Sequence, residues 1–173
     1  MTTSQNGWPA LASDSPTLHT WVIPARTGAF RLRLRNGSAG FLLAYFALWF
    51  AERVQRVAKV ADDWGYAFRT IRGDETNLSN HASGTAMDLN ATRHPLGAVG
   101  TFSARKVRRI HRKLDRVRAL RWGGDYSRRK DEMHFEIVQD LAFCERRAKR
   151  LMRTPRGLRI LHANPGQRAV INS

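Results

Sequence analysis

The distribution of apolar and polar positions along the chain predicts a mixture of short strands and amphipathic helices. Residues 30–35 alternate strictly between apolar and basic side chains, which predicts a half-buried strand that ends at Asn36-Gly37. A short extended piece at residues 21–24 precedes it. After the turn, a helix is predicted over residues 39–62, with an apolar stripe on one face and charged side chains on the other.

The second half of the chain continues this mixture without a regular alternation of strands and helices. Helices are predicted from residues 101–103 to about 118 and over residues 140–152, the second being the last before a basic tail. Strands are predicted at residues 67–71, 85–90 and 134–138. Such a pattern is typical of the α+β class, here with about three helices.

Length and composition limit the organisation of the molecule. A chain of 173 residues is expected to form one domain, which we place at residues 19–173 after a loosely ordered leader at residues 1–18. The single cysteine, Cys144, excludes an internal disulfide and is predicted to be a packed apolar group. The longest apolar run, residues 39–51, is too short to span a bilayer. We expect a monomer without a membrane span.

The charge of the chain is strongly unbalanced. Lysine and arginine number 30 against 14 aspartate and glutamate residues, giving a formal net charge of +16. Such an excess favours a polyanionic partner and fast, salt-sensitive association. The basic residues are spread over residues 105–129 and 146–159, and no helix-turn-helix, zinc-finger or RNA-recognition signature accompanies them. We therefore expect an anionic cell envelope, rather than a nucleic acid, as the partner.

Two motifs carry candidate chemistry. The first is Ser-x-His-x-x-Gly-x-Ala-x-Asp, which begins at Ser79 and contains His81 and Asp88; the second is Asp-x-x-His, formed by Asp131 and His134. Two imidazoles and a carboxylate make the three-ligand set of a catalytic zinc site, which leaves a fourth position for water. A further carboxylate can then take a proton from that water. The pair predicts a metallohydrolase that binds one Zn²⁺ ion.

Several neighbouring side chains compete for the remaining roles. Asp131, Glu132 and Glu136 are all candidates for the general base, and Asp131 needs a turn before His134 to reach the metal. Asp125 can orient a ligand histidine through its second ring nitrogen or serve in a plain turn. Arg72 is a candidate for a paired hydrogen bond to a substrate carboxylate.

These motifs resemble the zinc peptidases that cut bonds to D-amino acids in peptidoglycan. The likeness rests on Ile71-Arg72-Gly73, residues 79–88, Trp122-Gly123-Gly124-Asp125-Tyr126 and residues 131–136. It covers roughly residues 69–137, with a looser likeness from about Trp21 to residues 164–166, and it looks closest to the peptidase domains of actinobacterial phage endolysins. The resemblance implies a hedgehog/DD-peptidase-like fold, in which a small antiparallel sheet carries the zinc site.

The resemblance also implies the roles of individual residues. Zinc would be bound by His81, Asp88 and His134, with Asp131 as the general base. Arg72 would engage the substrate and Ser79 would lie beside the site, while Glu136 becomes a candidate for contact with a ligand or the substrate. Many carboxypeptidase and dipeptidase relatives carry glutamate where this chain has Asp131, which favours the endopeptidase branch.

The expected function is hydrolysis of the L-alanyl-D-glutamate bond of peptidoglycan stem peptides by a phage-type endolysin. The rival within the same class is a D-alanyl-D-alanine carboxypeptidase. The rival from another class is a basic nucleic-acid-binding protein with a non-catalytic metal site. No secretory signal is predicted in residues 1–15. An endolysin of this kind would be made in the host cytoplasm and reach the wall after the membrane opens.

Overall fold

The computed structural model describes residues 2–57 and 62–173, which form an α+β structure and confirm the predicted class. The strands and α-helices of these residues follow in the order β1 (Leu18–Ile23), β2 (Phe30–Arg35), α1 (Gly37–Arg53), β3 (Thr70–Ile71), β4 (Asp74–Leu78), β5 (Ala86–Asp88), α2 (Ala104–Val117), β6 (Leu120–Trp122), β7 (His134–Ile137), α3 (Leu141–Leu151), α4 (Pro155–Ala163) and α5 (Gln167–Asn172). Short 3-10 helices at Asn80–Ser83 and Gly123–Asp125 flank the candidate site.

Helix α1 lies at the centre of the fold. It packs against β1, β2 and β7 and against α2, α3, α4 and α5. Nearly all its side chains are buried, including Phe41, Phe46 and Phe50. A helix that is apolar all round belongs in a core. The predicted outer polar face is therefore wrong for α1, where even Glu52 is half-buried and pairs with Arg159 of α4 at 2.9 Å.

Helix α1 also ends earlier than predicted, at Arg53 instead of near residue 62. The residues that follow are bound by distant parts of the chain. Asn90 donates its side-chain amide to the Arg56 carbonyl at 3.0 Å, and the Gln55 side-chain oxygen lies 2.9 Å from His94 Nε2. These tertiary contacts replace the helical continuation that the apolar spacing predicted. Residues 58–61 of the predicted helix lie outside the described residues.

The sheet that carries the candidate site has the strand order β5-β7-β6, with antiparallel pairing throughout. In β7, Phe135 points into the core, where its ring centroid lies 4.8 Å from that of Phe46 in α1. Since neighbouring side chains of a strand face opposite sides, His134 and Glu136 share the other face. The contact between Phe135 and α1 thus fixes the direction in which both polar side chains point.

Two hairpins complete the strands. β1 and β2 pair antiparallel from Leu18 opposite Arg35 to Ile23 opposite Phe30. The alternating pattern predicted β2 itself but not its partner. β3 and β4 form a smaller hairpin whose tip contains Arg72 and Gly73. Its second strand lies between the predicted strands at residues 67–71 and 85–90, where no strand was predicted.

The segment after Thr154 forms two helices, α4 and α5, where the sequence predicted a basic tail. The structure therefore has five α-helices in its described residues instead of about three. Asn164, between these two helices, accepts a hydrogen bond from Val22 N at 2.8 Å and donates to Val22 O at 2.8 Å. The side chain thus pairs with the backbone of β1 like a neighbouring strand.

Residues of the segment expected to be a loosely ordered leader contact the candidate site. Asn6 N donates to Asn80 Oδ1, and Asn6 Nδ2 donates to Thr85 Oγ1 and to the Ile137 carbonyl, all within 2.9 Å. Trp8 is buried, and its indole donates to the Gln139 carbonyl at 3.0 Å. Described residues of this segment therefore hold the ends of β5 and β7.

Across the described residues, no helix is both long and apolar enough to span a bilayer.

Candidate metal centre

Three predicted ligands converge in the structure. His81 Nε2 lies 3.2 Å from Asp88 Oδ1 and 3.2 Å from His134 Nδ1, and His134 Nδ1 lies 2.7 Å from Asp88 Oδ1. All three residues are buried. Among the described residues, these three form the group of histidine, cysteine and carboxylate side chains that could hold a metal ion.

Local structure explains how the ligands meet. Asp88 and His134 are direct cross-strand partners in β5 and β7, so antiparallel pairing places their side chains together. His81 lies in the 3-10 helix Asn80–Ser83, where the Ser79 side chain accepts the His81 backbone N–H. Gly84 ends this helix at φ +67°, and a Cβ there would lie 2.6 Å from Arg35 N. Glycine therefore permits the close turn between the first two ligands.

The second nitrogen of each imidazole has its own acceptor. His81 Nδ1 lies 2.5 Å from the Gly65 carbonyl, and His134 Nε2 lies 3.4 Å from Glu136 Oε2. A ring N–H directed at each acceptor leaves the lone pairs of His81 Nε2 and His134 Nδ1 facing the centre. This arrangement of acceptors behind ligand histidines is characteristic of metal sites in proteins.

Glu136 is the centre of a buried polar network. Tyr126 donates its hydroxyl to Glu136 Oε1 at 2.6 Å, Arg121 Nε donates to the same oxygen at 2.8 Å, and the Asn80 amide donates to Oε2. Although burial raises the pKa of Glu136, hydrogen bonds from His134, Tyr126 and Arg121 lower it to about 2. The carboxylate is therefore ionised and oriented toward the His134 ring.

Sequence reasoning did not select Asn80, Arg121 or Tyr126 as members of this network. A signal existed for Arg121, because it lies directly opposite Glu136 on the neighbouring strand β6. Detecting it required β6, at which no strand was predicted. Tyr126 belonged to a quoted motif without being assigned a role.

The electrostatics of the centre favour a positive charge between its carboxylates. Burial raises the pKa of Asp88, but the neighbouring His81 and His134 hold it well below its usual range. Burial lowers the pKa of His134, but its hydrogen bonds to Asp88 and Glu136 raise it well above the usual value. A proton can supply this charge, and so can a metal ion that displaces it.

Asp131 is close to this group without belonging to it. The His134 backbone N–H donates to the Asp131 carbonyl at 3.1 Å. This hydrogen bond closes the turn that was predicted to bring Asp131 back toward the metal ligands. Gly123 allows the backbone at Asp131 to come close, since a Cβ at position 123 would lie 2.4 Å from the Asp131 carbonyl oxygen. Asp131 Oδ1 is buried and has no hydrogen-bond partner among the described residues. Burial, opposed by His134 and reinforced by Asp88, raises the pKa of Asp131 to about 6.

Two other carboxylates lie elsewhere. Glu132 accepts hydrogen bonds from Gly100 N at 2.8 Å and Thr101 N at 2.9 Å, so it fixes the loop before α2 and does not face the metal centre. Asp125 lies 2.9 Å from His111 Nε2 in an exposed pair, so it does not orient a ligand histidine as one hypothesis suggested. His94 is buried and stacks on Phe102 at 3.8 Å between ring centroids, away from the ligands.

An open cleft of about 650 Å³ adjoins the centre. His134, Asp131 and Glu136 line it, and so do the predicted substrate residues Ser79 and Arg72. His81 and Asp88 are not among its lining residues. The cleft also contains four further arginines, which are Arg69, Arg121, Arg128 and Arg129. Arg72 is exposed at the hairpin tip, where its charge lowers the pKa of Asp131 and is available to an anionic substrate group.

The residues fit a catalytic metal site. The two imidazole nitrogens and one carboxylate oxygen are the ligand types that zinc prefers, and three protein ligands beside an open cleft leave a position for water. Asp131 lines the same cleft, and its buried Oδ1 has no hydrogen-bond partner among the described residues.

A comparison with known families agrees with this chemistry. Residues 72–137 match the model of a family described as D-alanyl-D-alanine carboxypeptidase. The matched segment covers less than half of the chain but contains each predicted site residue, from Arg72 to Glu136. No curated protein and no solved structure gives a significant match. The likeness is to hydrolases of peptide bonds.

Proposed function

We propose that this chain is a zinc-dependent peptidase of peptidoglycan stem peptides that cleaves the L-alanyl-D-glutamate bond, as the catalytic domain of a phage-type endolysin. The observation that carries the proposal is the buried His81-Asp88-His134 group beside an unpartnered Asp131 oxygen in an open cleft. The family match over residues 72–137 supports the peptidase class.

The proposed mechanism assigns a task to each group. Zinc, held by His81, Asp88 and His134, would act as a Lewis acid and lower the pKa of water at the open position. Asp131 accepts the proton of the attacking water through its free Oδ1 and returns it to the leaving amine. Arg72 binds an anionic group of the stem peptide through its planar guanidinium.

The first test concerns the base. We expect Asp131→Ala to retain zinc, since Asp131 lies outside the ligand group, and to lower the rate of cell-wall hydrolysis by about 10²–10⁴-fold. Zinc content measured by mass spectrometry and release of new amino termini from purified walls give the two readouts. Asp125→Ala is the matched control, because this cleft carboxylate pairs with His111. Full activity of Asp131→Ala would show that another residue is the general base.

A second candidate function is a D-alanyl-D-alanine carboxypeptidase, which the description of the matching family favours. The two activities leave different products. Mass spectrometry of digested muropeptides would find a severed L-alanyl-D-glutamate bond for the endopeptidase and free D-alanine for the carboxypeptidase. Purified protein that holds no metal and cleaves neither bond would refute both peptidase functions.

A further inference from the structure

A second cleft, of about 370 Å³, is lined almost entirely by basic side chains. It lies where α1, α2 and α4 meet, and it shares no lining residue with the cleft beside the metal centre. Its lining residues, referred to below as the basic cleft, are Trp49, Arg53, Arg109, Arg112, Lys113, Arg116 and Arg156.

The charges of the basic cleft are not neutralised within the protein. Among the described residues, none of its six cationic side chains forms an ion pair with a carboxylate. Lys113 is held against two aromatic rings, with its Nζ 4.4 Å from the Tyr45 centroid and 5.7 Å from that of Trp49. Burial, together with Arg156 and Arg116, lowers the pKa of Lys113 to about 7. Mutual repulsion of this kind is relieved when an anion binds.

One donor of the basic cleft has no acceptor. Arg156 Nε is buried and makes no hydrogen bond within the described residues, although the guanidinium lies 5.5 Å from the Tyr45 centroid. A buried N–H without a partner costs free energy, since it has lost water and gained nothing. An oxygen acceptor that reached this N–H would remove that cost.

We propose that the basic cleft is a binding site for the phosphate groups of a polyol-phosphate polymer. Phosphate oxygens suit the arginine fork, which donates paired, charge-assisted hydrogen bonds. The cleft lies apart from the proposed active site, so the polymer would hold the protein without competing with the peptide substrate. This inference goes beyond the proposed function and does not depend on it.

The aromatic residues of the basic cleft argue against a single-stranded nucleic acid. Proteins that bind single strands offer free aromatic faces on which bases stack. Tyr45 is only 5% exposed, and Lys113 and Arg156 lie over its ring. Trp49 packs against Phe46 at 5.3 Å and also lies beside Lys113. The cleft thus presents charge without a stacking surface, which matches a phosphate chain that carries no bases.

The test is equilibrium binding of fluorescently labelled poly(glycerol phosphate), measured by anisotropy at low ionic strength. The cleft variant is Arg112→Glu with Arg116→Glu, both exposed on one face of α2. The control is Arg26→Glu with Arg31→Glu, which changes the net charge equally at exposed positions outside the cleft. We expect the cleft variant to bind at least about tenfold more weakly, because charge-assisted hydrogen bonds are lost, and the control to stay within about twofold.

Two further measurements complete the test. Arg112→Gln with Arg116→Gln removes the charges without reversing them, and it should also weaken binding if thermal unfolding shows the fold intact. A single-stranded oligonucleotide of equal charge should bind more weakly than the polymer. Equal loss in the cleft and control variants, or equal affinity for the oligonucleotide, would overturn the proposal. Binding needs no turnover, so the result stands apart from any failure of the peptidase proposal.

Discussion

At the scale of single residues, the His134 ring depends on a carboxylate two positions further along its strand. Glu136 accepts from His134 Nε2 and is fixed by Arg121 and Tyr126. We expect Glu136→Gln to weaken zinc binding by about 10–100-fold, the usual cost of losing such an acceptor. Competition with a chelator measures the affinity. Glu132→Gln is the matched control, and an equal loss there would contradict the role given to Glu136.

A pH effect is also expected at the residue scale, at His94. Burial lowers the pKa of this histidine from its ordinary value of 6.5 to about 4. The unfolded chain therefore binds the proton first, so His94 contributes stability that is complete above pH 6.5 and is lost as the pH falls toward 4. Urea unfolding at several pH values should show a smaller loss on acidification for His94→Gln than for the wild type. Parallel pH profiles would exclude this contribution.

The residues of the site differ in how well the sequence predicts them. His81, Asp88 and Asp131 occur in short motifs whose spacing brings the side chains together locally or across one strand pair. Asn80 and Arg121 bind Glu136 only because separate strands and a 3-10 helix place them beside it. Contacts of this kind depend on strand register, which no local pattern contains.

At the scale of elements, the turn between His81 and Asp88 depends on Gly84. A side chain there meets both an unfavourable φ of +67° and the Arg35 backbone at 2.6 Å. We expect Gly84→Ala to lower the free energy of unfolding by about 2–4 kcal/mol and to weaken metal binding, because strain and overlap add. Gly100→Ala, at φ +74° with nothing within 4 Å, should cost only about 1–2 kcal/mol. Equal losses of unfolding free energy in the two variants, measured in urea, would show that the overlap with the Arg35 backbone does not contribute.

The elements also show where local signals suffice. Helix α2 begins after Ser103 and α3 after Asp140, close to the starts that were predicted. Asp140 caps α3 by accepting from Phe143 N, whereas Ser103 makes no side-chain cap hydrogen bond. Helix α4 has two helix-start signals, the Thr154 cap and Pro155 in its first turn. No helix was predicted from them, because the helix is short and contains Gly157. Helix α1 ends where tertiary contacts to its following residues begin, which its own apolar spacing does not reveal.

At the scale of the whole molecule, the net charge of +16 should act on binding to walls rather than on chemistry. Salt shortens the Debye length from about 10 Å at 0.1 M to about 3 Å at 1 M. We expect high salt to slow hydrolysis of intact walls and to leave cleavage of a small soluble stem peptide nearly unchanged, because contacts inside the site are poorly screened. Both rates can be followed by release of amino groups. Equal salt sensitivity of the two rates would show that the net charge does not act through binding to walls.

The pairing of Asn6 with β7 has a consequence for biosynthesis. Its side chain reaches the Ile137 carbonyl across 131 positions, while His81 and His134 are 53 positions apart. Contacts between distant positions form slowly and only when both partners exist. A growing chain therefore cannot bring the three candidate ligands together until β7 has been synthesised. Ribosome-bound fragments that end before His134 would lack one of the three candidate ligands and would be unable to bind metal in the native geometry.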